Sequence, residues 1–101
     1  MSHEDAATVG VLHLRLRLPA RTLKEKRAIV KSVIERVRNR YNVSAAELSA
    51  LDTPALATVV VVCVSNSRPH SDAMLQEVAR FVTAERLDAE LLGIETELIT
   101  I

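Results

Sequence analysis

Lys24, Arg27, Lys31 and Arg38 are the residues of this sequence best spaced to act together. Wound as a helix at about 100° per residue, they fall along one flank. The stripe from Lys24 to Arg38 is about 21 Å long at ~1.5 Å per residue. A row of cations of that reach can follow several phosphates of a nucleic acid, giving affinity and salt dependence with little sequence information. Arg36 and Arg40 fall on the other flank, and Lys26 sits near the apolar edge, where its stem can snorkel. The competing reading is a solvated face. Glu35 then pairs with Lys31 at i,i+4 and with Arg38 at i,i+3, each a surface effect of a few tenths of a kcal/mol.

The wider charge pattern points the same way. Thirteen Lys/Arg balance thirteen Asp/Glu over 101 residues, so no overall field drives binding. Residues 1–41, however, hold ten basic and four acidic residues, a net of +6, and residues 42–101 hold three and nine, a net of −6. Such asymmetry suggests a basic patch and an anionic partner, unless the two halves neutralise each other on folding.

Other chemically capable residues are scattered. His13, Arg15 and Arg17 alternate along one segment and form a second candidate surface. Glu95 and Glu97 can pair with Arg15 and Arg17 across adjacent strands. As a carboxylate pair they would need a pocket for acid–base work, and nothing in the sequence signals one. Cys63 lies in an apolar run with no second Cys or His at ligand spacing, so it reads as a small buried hydrophobe and no metal is indicated. His3, His13 and His70 do not cluster. Ser65-Asn66-Ser67 can cap a helix or hold an anion at its start. With Gly10 and Gly93 as its two glycines, the chain has no phosphate loop and no dinucleotide fingerprint. One cysteine excludes a disulfide scaffold. The longest strictly apolar run, residues 59–64, is far below the ~20 that a membrane helix needs. The first residues lack the basic-then-apolar pattern of a signal peptide. A cytoplasmic, non-enzymatic protein without a cofactor is expected.

The elements that must position these residues can be read from periodicity. Residues 1–8 are expected as a flexible tail and 9–101 as one domain. Residues 9–18 alternate Leu12, Leu14, Leu16 and Leu18 with His13, Arg15 and Arg17, the period of a half-buried strand, and Pro19 ends it. Gly10 marks a bulge or a close backbone approach. Thr22-Leu23-Lys24-Glu25 is a capping box, and the helix it starts runs to about Arg40 with Leu23, Val30, Val33, Ile34, Val37 and Tyr41 on one face. Residues 42–50 form a weaker strand, and Leu51-Asp52-Thr53-Pro54 a turn. Residues 56–64, rich in β-branched side chains, form a central strand with little exposure on either face. Ser67 caps a second helix, with Pro69 in its first turn and Asp72 favouring its positive end. Leu75, Val78, Phe81 and Val82 are its apolar face, and it fades near Arg86. Residues 91–101 are a last strand, with Leu92, Ile94 and Leu98 on one side and Glu95 and Glu97 on the other.

The order β-α-β-β-α-β predicts an α+β, ferredoxin-like fold: a four-stranded antiparallel sheet with two helices on one face. Strands one and three are expected as a parallel central pair, with strand four beside strand one. The third strand's outer valines would then form an apolar patch suited to an interface. Neither central strand carries an aromatic residue, so base stacking on the sheet is not expected.

Gly10-Val11-Leu12, Thr22-Leu23-Lys24-Glu25-Lys26-Arg27, Tyr41-Asn42-Val43-Ser44 and Val64-Ser65-Asn66 together resemble the YlxP-like family, bacterial small domains of unknown function. The resemblance spans roughly residues 9–101. It departs from the family pattern at Thr22, Tyr41 and Ser67, where Ser, Phe and an acid are usual, and over residues 49–54. The family's fold is ferredoxin-like. Its genes often lie near those for translation initiation and ribosome maturation, so the resemblance implies an RNA or ribosome partner. Two function classes follow. One is an RNA- or ribosome-associated domain using Lys24, Arg27, Lys31 and Arg38. The other is a homo-oligomeric protein-interaction or small-ligand-sensing module using the open sheet face around His13, Arg15 and Arg17.

Overall fold

A computed structural model describes residues 6–48, 52–84 and 89–101. The elements are β1 (Thr8–Arg17), α1 (Leu23–Arg40), β2 (Ser44–Leu48), β3 (Leu56–Ser65), α2 (Arg68–Ala84) and β4 (Glu90–Thr100). They form one sheet in the order β2-β3-β1-β4. The ferredoxin-like βαββαβ arrangement is therefore present. Residues 1–5, the expected end of the second strand at 49–50, Leu51 of the turn and the helix end near Arg86 lie outside the described residues.

One expectation is corrected. β1 and β3 run antiparallel, with Leu12 opposite Val61 and Leu14 opposite Val59. The connections dictate this. α1 carries the chain back along the sheet, so β2 runs with β1, and the β2–β3 connection reverses it again. The two parallel strands are β1 and β2, and β3 is inserted between them. The sheet edge also begins earlier than the expected tail allowed. Thr8 is already in β1 and buried, and Ala7 and Ile101 exchange backbone hydrogen bonds of 3.0 and 2.8 Å.

Strand periodicity sorts the two faces. Leu12, Leu14, Leu16, Ala57, Val59, Val61 and Cys63 are buried under the helices with Val30, Val33 and Val37 of α1 and Leu75, Val78 and Val82 of α2. α1 covers β2 and β3, whereas α2 covers β1, β3 and β4. Gly10 serves as a close approach: a Cβ there would lie 2.9 Å from Leu75 Cδ1 and 3.0 Å from Cys63 Sγ. The other face is uncovered. β3 is not buried on both sides, since its pattern alternates and Val64 is 65% exposed. In β4, Leu92 and Ile94 are exposed and only Leu98 of the expected apolar trio packs against the core. A register shift opposite Arg15 and Leu16 interrupts the β1–β4 ladder there.

Both helix starts follow their sequence signals. The Glu25 N–H donates to Thr22 Oγ1 at 3.1 Å, and the Thr22 hydroxyl donates to the Glu25 carboxylate at 3.3 Å rather than leaving it to the cap's N–H. The His70 N–H donates to Ser67 Oγ at 3.3 Å, which makes Ser67 a cap. Asp72 lies beyond the first turn and accepts from Gln76 at 2.8 Å instead of facing the helix start.

Candidate nucleic-acid interface

The flank of α1 that carries the candidate cations faces the edge strand β2. Arg27, Lys31 and Arg38 line a recess of about 320 Å³ with Val30, Ile34, Glu35 and, from β2, Glu47. Val30 is buried and Ile34 half-buried, so the floor is aliphatic and the rim charged. Lys24 is exposed at the start of the same flank but does not line the recess. Of the four cations only Lys31 has an ion pair among the described residues, 3.9 Å from Glu35, with 77% of its side chain exposed. The expected pairing of Glu35 with Lys31 is thus formed, and Arg38 makes none.

Lys26 behaves otherwise. The sequence places it at the apolar edge with its head in water. In the fold its side chain is 4% exposed, its ammonium donates to the Thr53 carbonyl at 3.3 Å, and Glu47 Oε2 lies 3.7 Å away. Glu47 stands opposite Val59 on the helix-covered side of β2, which brings its carboxylate beneath α1. Spacing along the helix marks Lys26 as an edge position, but nothing local announces a carboxylate 21 residues downstream.

A second recess, about 780 Å³, lies at the C-terminal end of α1 and is lined by Glu35, Arg38, Asn39, Arg40, Tyr41, Asn42 and Val43. It shares Glu35 and Arg38 with the first, so the two adjoin at these side chains. Beside it the chain's two aromatic rings meet. Tyr41 and Phe81 are edge-to-face, with centroids 5.7 Å apart and planes at 76°, and the Tyr41 hydroxyl donates to the Glu77 carbonyl at 3.4 Å. The Arg40 guanidinium lies over both, 5.1 Å from Phe81 and 5.9 Å from Tyr41. Their assignment to helix faces and ends was legible in the sequence, but their mutual contact was not.

The β1 cations sit on the open face and are already matched. Arg15 is paired with Glu95, and Arg17 lies 3.6 Å from Glu90 rather than near Glu97. His13 stands opposite Glu95 and shares with it, Thr96 and Glu97 a recess of about 380 Å³ that no sequence feature signalled. Across the face, Val9, Val11, Val60, Val62, Val64 and Ile99 form an apolar area, with Ile99 40% exposed. Aromatic rings are absent from these strands, as expected.

The remaining candidates are structural. Cys63 is buried, its Sγ 3.9 Å from the Ser71 carbonyl. Ser65 Oγ accepts from the Ser67 N–H at 3.1 Å and lies 2.6 Å from Ser71 Oγ in the first turn of α2, so these serines satisfy one another. Among the described residues no group of His, Cys, Asp and Glu could hold a metal, and no helix is long and apolar enough to cross a membrane. His3 lies outside the described residues.

The model of a family described as "Protein of unknown function (DUF503)" matches residues 9–96, most of the chain. The chain belongs to this family. The chain is also 40% identical over 63 residues to the uncharacterized protein YlxP of Bacillus subtilis (strain 168), a match covering 62% of this chain and 68% of that protein. The YlxP-like resemblance of the sequence motifs is therefore correct. Among solved structures, the domain is similar to the de novo designed protein Foldit4, with 16% identity, 94% and 96% of the two chains covered and a TM-score of 0.48. It is also similar to a dimeric ferredoxin-like protein from an uncultured marine organism, with 13% identity, 99% and 91% covered and a TM-score of 0.47.

Proposed function

We propose that this DUF503 domain is a cytoplasmic RNA-binding module, not an enzyme, and that the exposed flank of α1 is its contact surface. The observation that carries the reading is the state of the flank's charges. Lys24, Arg27 and Arg38 are exposed without an ion pair among the described residues, and Lys31 has one weak surface pair. Four cations stand on the flank against Glu35, with Glu47 engaged by Lys26, and an excess of like charge costs stability that a polyanion relieves. Binding of purified protein to ribosomal subunits and structured RNA, measured at low and physiological salt, tests it. For about four phosphate contacts the logarithm of the association constant falls with log salt at a slope of about −3. K24E/K31E abolishes binding. A flat salt response, or equal binding by the double variant, refutes the reading.

A second reading has its own support in the open face, where exposed Val64 and Ile99 and the half-buried Val9, Val11, Val60 and Val62 make an apolar area of the kind that marks an association surface. On this reading two copies meet through the sheet. Sedimentation at micromolar concentration checks it: a dimer that survives K24E/K31E supports it, and a monomer ends it.

A further inference from the structure

We propose that the RNA bound is single-stranded, and that one unpaired base is received at the C-terminal end of α1, stacked on the Arg40–Tyr41–Phe81 cluster; this rests on α1 being the contact surface. The cation row does not end at Arg38. Because the two recesses share Glu35 and Arg38, a strand lying on Arg27, Lys31 and Arg38 runs directly into the larger one.

The chemistry changes on the way. The last turn of a helix carries carbonyls without helical partners and the negative end of the macrodipole, which disfavours phosphate and favours hydrogen-bond donors. The imino and amino groups of a base edge are such donors. Asn39 and Asn42 line the same recess, and each amide offers both donors and an acceptor. Arg40 lies over two rings at once, so its guanidinium is backed by an aromatic surface. Aromatic rings and arginine planes are the surfaces on which unpaired bases stack. The recess, about 780 Å³, is within the ~300–1,000 Å³ range of small-molecule sites. In a duplex, by contrast, base faces are stacked and Watson–Crick edges are paired, so no base can enter the recess and only the phosphate row would be used.

Tyr41 is the chain's single tyrosine. Protein labelled with 3-fluorotyrosine therefore gives one fluorine signal, located at this recess. A short single-stranded RNA is expected to shift that signal and to bind more tightly than the same sequence annealed to its complement. R40A weakens single-strand binding about tenfold, in the range of one lost stacking contact. R40K keeps the charge but loses the planar group, so it behaves like R40A if the contact is stacking and like wild type if it is a phosphate contact. A silent fluorine signal, equal affinity for the two RNA forms, or a wild-type R40K overturns the proposal. If binding nevertheless weakens with salt and is lost in K24E/K31E, only the base site falls and the α1 reading stands. If neither RNA binds, both fall.

Discussion

Arg15 and Arg17 on β1 and Arg27 and Arg38 on α1 are all exposed arginines, yet the fold leaves them in opposite states. On β1 the counter-charges come from register. β4 runs antiparallel beside it and brings Glu95 and Glu90 to the two guanidiniums. The α1 flank faces the short edge strand β2, whose one acid, Glu47, is drawn beneath the helix to Lys26. Of the acids on α1 itself, Glu25 is turned to the cap and Glu35 to Lys31. Exposure alone thus says little about availability. The sheet cations are neutralised within the molecule, whereas Arg27 and Arg38 make no ion pair among the described residues.

Lys26 gives the comparison its extreme, and its partner gives the largest expected effect. E47Q withdraws a carboxylate from a buried ammonium. Breaking a fully buried pair costs about 3–5 kcal/mol, and Glu47 keeps 28% of its side chain exposed, so a loss of about 2 kcal/mol is expected. Urea unfolding reads it as a lower midpoint at unchanged slope. A loss below about 0.5 kcal/mol would put the pair among ordinary surface pairs.

Next come the arginines. R15A and R17A are each expected to destabilise by about 0.5 kcal/mol, a difference that shrinks as salt screens the pairs. R27A and R38A should change stability by no more than about 0.3 kcal/mol and can raise it slightly, since each removes a like charge from a crowded flank. Thermal melts of the four variants at low and high salt decide between these patterns. Equal losses from both pairs of positions would erase the contrast.

Much of this architecture can be read from the sequence, because short-range rules set it. Alternating leucines define β1, Thr22 and Ser67 mark the helix starts, and the 3.6-residue period of Val30, Val33 and Val37 gives the buried face of α1. What escapes depends on contacts between distant segments. The direction of β3 relative to β1 follows from the path of the whole chain. Arg17 meets Glu90 rather than Glu97 because the antiparallel register sets Glu97 opposite Val11, far along the strand, and the shift at Leu16 brings Glu90 opposite Arg17. Lys26 needs Glu47 from another strand, and the Tyr41–Phe81 contact needs two helices to converge. The four candidate cations were legible as a flank, but not the recess that gathers three of them and leaves Lys24 outside it.

The smallest effect on stability is the most telling for binding. Glu35 is the one acid on α1 paired with a flank cation, 3.9 Å from Lys31 across one helical turn. E35Q should cost only about 0.3 kcal/mol, the value of an exposed i,i+4 pair, near the limit of a melt. Its consequence for RNA should be larger and opposite in sign. Glu35 lines both recesses and pairs with Lys31, so its carboxylate would repel phosphate at that point and offset the charge of Lys31. Removing the charge frees one cation and one stretch of the track. Affinity for RNA should rise, and the salt slope should steepen by about one contact. Were the flank merely solvated, E35Q would leave both quantities unchanged, while E90Q and E95Q on the sheet face would serve as matched controls that release cations outside the proposed path.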